Sequence, residues 1–77
     1  MASAYLLIEA EIGKVRDVLN KLKKVKGVEC AQSVTGPYDV IAYLEAKDID
    51  KLGVLVTDKI QKIKGVKKTI TCLSVEL

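Results

Sequence analysis

The sequence of 77 residues contains no histidine, tryptophan or phenylalanine, one proline and only two cysteines. The absence of histidine excludes Cys/His zinc sites and nucleophile–histidine catalytic centres. Cys30 and Cys72 form no Cys-x-x-Cys pair, and they are predicted to be buried, small apolar residues in a reducing compartment. No segment approaches the ~18 apolar residues of a membrane span, and no basic region marks a secretory signal. These absences predict a cytoplasmic protein without a metal, a cofactor or membrane contact.

Apolar residues are nevertheless abundant, at 49% of the chain, and the mean hydropathy is +0.21. Aromatic residues make up only 4%, so aliphatic side chains must form the core. A chain of this length buries only about 60% of its unfolded surface, which leaves a lone monomer marginally stable. The composition therefore predicts one small domain that self-associates.

The net charge of +3 comes mainly from lysine, and the densest run, 21–26, alternates with apolar residues. Such a mixture is typical of the solvated face of a helix, whereas nucleic-acid binding requires cations clustered on one surface. Direct contact with nucleic acid is therefore not expected.

The spacing of apolar residues predicts six elements in the order βαββαβ. The predicted strands are 5–12, 28–35, 40–46 and 69–75. The first predicted helix runs from Lys14 to Gly27, and the second from a cap at Asp48 or Asp50 to Gly65. Residues Gly36-Pro37-Tyr38-Asp39 are rich in turn formers and join the second and third strands as a hairpin.

An internal repeat supports this order, because the apolar and glycine pattern at 22–28 recurs 38 residues later. Two βαβ halves with right-handed crossovers give an α+β, ferredoxin-like sandwich, in which two helices cover one face of a four-stranded antiparallel sheet. The first and third strands are central in this topology. Cys30 and Cys72, on the outer strands, would be about 14 Å apart and too distant for a disulfide.

Two helices leave the other sheet face uncovered, and this face is predicted to be partly apolar. The residues assigned to the helix side are Leu6, Ile8, Ala10 and Ile12 on the first strand and Val40, Ala42, Leu44 and Ala46 on the third. The opposite face then carries Tyr5, Leu7, Ile41 and Tyr43, with either Ile70 and Cys72 or Leu73 and Val75 from the last strand. A contiguous apolar patch of this kind predicts a sheet-to-sheet dimer.

Catalytic signals are weak, and the chain is predicted not to be an enzyme. Glu9 and Glu45 lie on neighbouring strands, but rim charges of an interface explain them better than an acid/base pair. Tyr5 and Tyr43 occupy positions where RNA-binding domains stack bases, but the aromatic signature of those domains is absent from 39–46.

The hairpin segment Ser33-Val34-Thr35-Gly36-Pro37-Tyr38-Asp39, together with Gly27-Val28 before it and 63–71 near the end, resembles a known family. It is similar to the C-terminal effector domain of Lrp/AsnC transcription regulators, the RAM (regulation of amino-acid metabolism) domain. The resemblance extends from about Ala4 to Val75. It implies dimers that assemble further into rings, often octamers, and a free amino acid bound where dimers meet.

Carried over position by position, the resemblance implies a ligand-binding set in the hairpin and on the last strand. These residues are Ser33, Thr35, Gly36, Tyr38 and Asp39, with Thr69 and Thr71 as additions. An ammonium group needs an anion such as Asp39, and a carboxylate needs N–H or hydroxyl donors. The residues alone favour an ordinary turn in which Asp39 bonds its own backbone, and only the resemblance favours ligand binding.

Regulators of this family carry a helix-turn-helix before the effector domain, whereas this sequence begins at the first strand. It therefore resembles a stand-alone RAM domain, residues 1–77, without direct DNA binding, with full-length Lrp/AsnC regulators as possible partners in mixed rings. The alternative is a dimeric αβ-barrel enzyme similar to small monooxygenases, which share the strand order and the sheet pairing.

Overall fold

A computed structural model describes residues 1–75 of the chain, and it confirms the βαββαβ order. The strands are β1 (Ala2–Ala10), β2 (Val28–Ser33), β3 (Val40–Ala46) and β4 (Val66–Leu73), and the helices are α1 (Val15–Leu22) and α2 (Ile49–Val54), which continues as a π-helix, π1 (Leu55–Ile60). The antiparallel sheet has the order β2-β3-β1-β4, so β1 and β3 are central as predicted. No helix among the described residues is long and apolar enough to cross a membrane.

The hydrophobic core lies between the sheet and the helices. Leu6, Ile8 and Leu44 are fully buried from the sheet side, and Leu22 and Ile60 are fully buried from the helices. Burying one such side chain contributes about 1.5–3 kcal/mol. Because successive side chains on a strand point to opposite faces, these residues also fix which positions of β1 and β3 turn away from the helices.

Ile12 was predicted on the helix side of the first strand, and this prediction is wrong. β1 ends at Ala10, and a turn closed by Lys14 N–H on the Glu11 carbonyl at 2.9 Å redirects the chain before Ile12 can enter the sheet. Ile12 is 102% exposed. Ala46, also predicted there, is half-buried at the end of β3.

Other element boundaries moved by a few residues. α1 ends at Leu22 rather than near Gly27, because Lys24 and Val25 donate to carbonyls three residues back, which tightens the chain out of the α-helix. β4 begins directly after Gly65, at Val66, and ends at Leu73. β1 begins earlier than predicted, since Ala2 pairs with Ala46.

The internal repeat corresponds to two equivalent junctions between a helical segment and the strand that follows. Gly27 and Gly65 both have a φ of 103°. The Gly27 carbonyl accepts from Glu45 N–H at 2.9 Å, and the Gly65 carbonyl accepts from Glu11 N–H at 2.8 Å. Each glycine thus ties its outer strand to an inner one, which explains why the repeat preserves glycine.

Asp48 is the N-cap of α2, one of the two caps predicted. Its Oδ1 accepts from Lys51 N–H at 2.8 Å. We expect Asp48→Ala to lower the free energy of unfolding by about 1 kcal/mol, because a backbone donor of the first turn loses its partner. The melting temperature, followed by circular dichroism, would fall by about 4–8 °C. Asp50→Ala, in the same turn without a capping bond, should change it by much less; equal losses would contradict the capping role.

Candidate functional site

The face of the sheet opposite the helices carries two parallel rows of side chains that cross all four strands. One row is Cys30, Tyr43, Tyr5 and Cys72; the next is Gln32, Ile41, Leu7 and Ile70. We call these eight residues the open sheet face. Of the two predicted options for the last strand, the register selects Ile70 and Cys72, which pair with Leu7 and Tyr5. All but Gln32 are apolar, aromatic or cysteine side chains, so this face is largely apolar.

The centre of the open sheet face is an aromatic pair. The ring centroids of Tyr5 and Tyr43 are 5.0 Å apart, with an interplanar angle of 50°. The Tyr43 hydroxyl donates to Glu45 Oε2 at 3.3 Å, and Tyr5 remains 51% exposed. This geometry lies within the range of favourable aromatic contacts, and it leaves one ring available to a further apolar surface.

Both cysteines were predicted to be buried, and this prediction is wrong. Cys30 and Cys72 are exposed free thiols at the two ends of the tyrosine row, one on each edge strand. The sequence prediction used the general preference of cysteine for interiors. In this fold they fall on the face that the helices leave uncovered.

Glu9 and Glu45 lie at opposite ends of the open sheet face. Glu45 pairs with Ser3, whereas Glu9 pairs with Lys68 and forms an ion pair with Lys67 at 3.4 Å. Ser3 and Glu9 are six positions apart on β1, which is about 20 Å along a strand. The two carboxylates therefore form no acid/base pair within one chain, and they flank the apolar rows as rim charges.

Asp39 follows the β2–β3 turn and connects it to the central strand β1. Its Oδ2 accepts from Ala10 N–H at 2.8 Å, its own N–H donates to the Ile8 carbonyl, and its carbonyl accepts from Val34 N–H. Oδ1 accepts no hydrogen bond from the described residues, and the side chain is half-buried. The carboxylate therefore bonds across to β1 rather than within its own turn, and one oxygen remains unused.

The other hairpin residues surround Asp39 without forming a closed cavity. Thr35 and Gly36 are exposed at the turn, where Gly36 has a φ of 140°, and Tyr38 is half-buried. Five cavities of about 240–560 Å³ among the described residues are all lined by residues other than 35–39. A ligand held at this hairpin would thus need a further surface to cover it.

Thr69 and Thr71 lie on the edge strand β4, far from Ser33 on the other edge strand. Ser33 pairs with Val40, and Thr69 and Thr71 pair with residues of β1 whose side chains enter the core, so all three point toward the helix side. Thr69 Oγ1 accepts from Gln61 Nε2 at 2.9 Å. Three strand spacings, about 14 Å, separate the two edges. Within one chain, therefore, Thr69 and Thr71 do not come near Ser33 and the hairpin.

Arg16 is a candidate that the sequence analysis did not select. It lies with Val15, Leu19 and Ser33 around a shallow cavity of about 240 Å³ between α1 and β2. A guanidinium group beside a hydroxyl suits a carboxylate, because arginine can donate two parallel hydrogen bonds. The sequence analysis could not select Arg16, because no pattern along the chain indicates that a residue of α1 lies beside the end of β2.

Comparison with known proteins gives the family of the chain. The model of the Lrp/AsnC ligand binding domain matches residues 3–76. An HTH-type transcriptional regulator of Pyrococcus horikoshii is 33% identical over 70 residues, which cover 91% of this chain and 44% of the regulator. The chain thus spans less than half the length of that relative.

Solved structures agree with this match. The crystal structure of FFRP-DM1 superposes with a TM-score of 0.93 at 32% identity, over 97% of this chain and 100% of that one. The L-Met complex of a regulator of Neisseria meningitidis has the same fold, with a TM-score of 0.86, 16% identity, and coverage of 97% of this chain and 50% of that one. The matching region is a ligand-binding domain, and the relative from Pyrococcus horikoshii that carries it is named a transcriptional regulator. The chain belongs to the Lrp/AsnC ligand-binding domain family.

Proposed function

We propose that this domain is a self-assembling effector module that binds a free amino acid and acts in the regulation of amino-acid metabolism or transcription. The observation that carries the proposal is the unused oxygen of the half-buried Asp39, held at the hairpin by the bond to Ala10 N–H. Family membership supports a ligand-binding role, and the related fold solved with L-Met supports an amino acid as the class of ligand.

The chemistry around the hairpin fits a zwitterion. The Asp39 carboxylate would accept a charge-assisted hydrogen bond from the α-ammonium group. The backbone at Gly36 can approach the ligand closely, because no Cβ intervenes and open space surrounds this position. Hydroxyls of Ser33 and Thr35, or Arg16 beside Ser33, would supply donors for the α-carboxylate.

Assembly completes the site in this proposal. The hairpin is open in one chain, and Thr69 and Thr71 lie on the opposite edge, so a second chain must contribute the missing wall. We propose that two copies pack through Tyr5, Leu7, Ile41 and Tyr43 of the open sheet face, and that such dimers associate into a ring, such as an octamer. The contiguous apolar rows support the first step.

The test is thermal unfolding of the protein with each of the twenty amino acids. At 100 times its Kd, a ligand that binds only the folded state adds about 2.7 kcal/mol of stability. For a domain of this size the melting temperature would rise on the order of 10 °C. We expect one or a few amino acids to give this shift, and a uniformly negative panel would contradict the proposal.

Asp39→Asn is the matched variant for the ammonium contact. The amide oxygen can still accept from Ala10 N–H, so the fold is retained, while the negative charge is removed. We expect the ligand-dependent shift to disappear and the melting temperature without ligand to change little. A full shift in Asp39→Asn would place the ammonium group elsewhere.

The matched region supports a proposal about the partners of the assembled module. Residues 3–76 match a ligand-binding domain. In the regulator from Pyrococcus horikoshii, the region similar to this chain makes up 44% of the protein. We propose that this domain does not itself contact DNA and that it joins mixed assemblies with full-length Lrp/AsnC regulators. Co-purification of a tagged regulator with this chain would support mixed assemblies, and strict self-association would argue against them.

A further inference from the structure

A cavity of about 560 Å³ lies at the end of the sheet opposite the β2–β3 hairpin. Its apolar floor consists of Gly27, Ala46 and Leu55, which come from three separate segments of the chain. The Gly27 carbonyl accepts from Glu45 N–H at 2.9 Å, and this bond holds the start of β2 beside the end of β3. Long-range contacts therefore create the cavity, and its volume suits a small organic molecule.

The floor continues onto the second helix through Leu55, which packs directly against the backbone of Gly27. A Cβ added at Gly27 would lie only 2.8 Å from Leu55 Cδ2. Leu55 N–H donates to the Lys51 carbonyl, so Lys51 lies one helical turn before Leu55 and on the same side of the helix. The aliphatic part of the Lys51 side chain therefore borders the apolar floor, while its ammonium group reaches water.

Three lysines line this cavity, and each comes from a different segment. Lys26 lies in the link between α1 and β2, Lys47 follows the end of β3, and Lys51 lies in the first turn of α2. All three are exposed, and none forms an ion pair, because the single salt bridge found in the described part of the chain joins Lys67 to Glu9. Their ammonium groups are thus free to bind an anion.

The two glutamates that line the cavity do not balance these cations. The Glu45 carboxylate accepts from the Tyr43 hydroxyl at 3.3 Å, and alternation along β3 places both side chains on the open sheet face. Glu29 is exposed on the edge strand β2. Three cations therefore face one carboxylate, and the cavity attracts a negatively charged ligand.

We propose that this lysine-lined cavity binds an aliphatic carboxylate that carries no ammonium group. The carboxylate would accept charge-assisted hydrogen bonds from Lys26, Lys47 and Lys51, and a short branched chain would cover Leu55 and Ala46. This class of ligand differs from the zwitterion proposed for the hairpin. The two sites lie at opposite ends of β2 and β3, so each can be tested without the other.

Amide chemical shifts of the ¹⁵N-labelled protein test the site, with isovalerate as the probe. We expect the amides of Gly27, Lys47 and Leu55 to shift, with a Kd of about 1–10 mM for a ligand of this size. Valine adds an α-ammonium group to isovalerate, and isobutylamine replaces the carboxylate of isovalerate by an ammonium group. Both should bind at these amides at least about tenfold more weakly, because a like charge approaches the lysines.

The outcomes separate this site from the hairpin. Absence of isovalerate shifts at Gly27, Lys47 and Leu55 would overturn the proposal, and so would equal affinities of isovalerate and valine at these amides. Isovalerate shifts confined to 33–39 would place the probe at the hairpin, which refutes the lysine-lined cavity and leaves the proposed function intact. Valine shifts at 33–39 together with isovalerate shifts at the cavity would support both sites.

Lys26→Gln combined with Lys51→Gln removes two of the three ammonium groups. Both side chains are exposed, so the fold is retained, and circular dichroism verifies it. We expect the Kd of isovalerate to rise at least about tenfold, because two charge-assisted bonds are lost. Lys21→Gln combined with Lys59→Gln makes the same change of net charge outside the cavity, and it should leave the Kd within about twofold. Equal losses in the two double variants would overturn binding in the cavity.

Discussion

Leu7→Lys is expected to leave the protein as a folded monomer of 8.4 kDa under conditions where the unmodified chain associates. Leu7 lies on the open sheet face in the row next to the tyrosine pair, between Ile41 on one side and Ile70 on the other. An ammonium group there would have to lose its water when two faces meet. Each copy also loses about 1.5–3 kcal/mol of apolar burial. The combined loss, roughly 3–6 kcal/mol, weakens the dimer by about 10²–10⁴-fold.

Analytical ultracentrifugation across micromolar concentrations measures this effect, and circular dichroism verifies the fold. Asn20→Lys is the control, because it makes the same change of charge on the exposed side of α1. We expect the control to associate like the unmodified chain. If Leu7→Lys also keeps the mass of the unmodified protein, the open sheet face is not the interface, and the proposed inter-subunit site loses its basis.

Gly65→Ala is expected to destabilise the fold strongly. With a φ of 103°, this position has a backbone conformation that residues with a Cβ rarely adopt. An added Cβ would also lie 2.9 Å from Lys14 Cβ and 3.0 Å from the Cγ2 of the fully buried Val18. Backbone strain and overpacking each cost about 1–3 kcal/mol, so a loss of roughly 2–6 kcal/mol is expected in chemical denaturation.

Gly53→Ala is the matched control for this substitution. Gly53 lies within α2, has nothing within 4 Å of an added Cβ, and has no positive φ. We expect this variant to gain about 0.5–1 kcal/mol, because alanine favours the helix. A loss of stability in Gly65→Ala and a gain in Gly53→Ala would confirm that the backbone at position 65 requires glycine. Similar losses in both variants would contradict that role.

The fold was predictable because its signals are local. The change from strand to helical periodicity, the glycines after each helical segment and the hairpin turn all act within a few residues of the chain. The prediction placed Leu6, Ile8 and Leu44 correctly in the core. It was wrong for Ile12 because period-two alternation was continued past the end of β1, where the turn at Glu11–Lys14 takes over.

The candidate site was only partly predictable. Sequence pattern and resemblance selected Asp39, but its bond to Ala10 N–H joins residues 29 positions apart, and no local pattern indicates such a pair. The same holds for Arg16 and Ser33, which line one cavity because α1 packs beside β2. The distance between Ser33 and Thr71 likewise depends on which strands are at the edges.

The sequence by itself determined the elements, their order and the family, since hydrophobic periodicity, turn residues and helix-ending glycines are encoded over short stretches. Only the tertiary structure decided the register. It placed Cys30, Tyr43, Tyr5 and Cys72 in one row, exposed both thiols, and separated Glu9 from Glu45. The physical reason is that the register of a strand is set by its pairing with distant strands and by the burial of one whole face of the sheet. Residues distant in sequence therefore become neighbours only when the sheet packs against the helices.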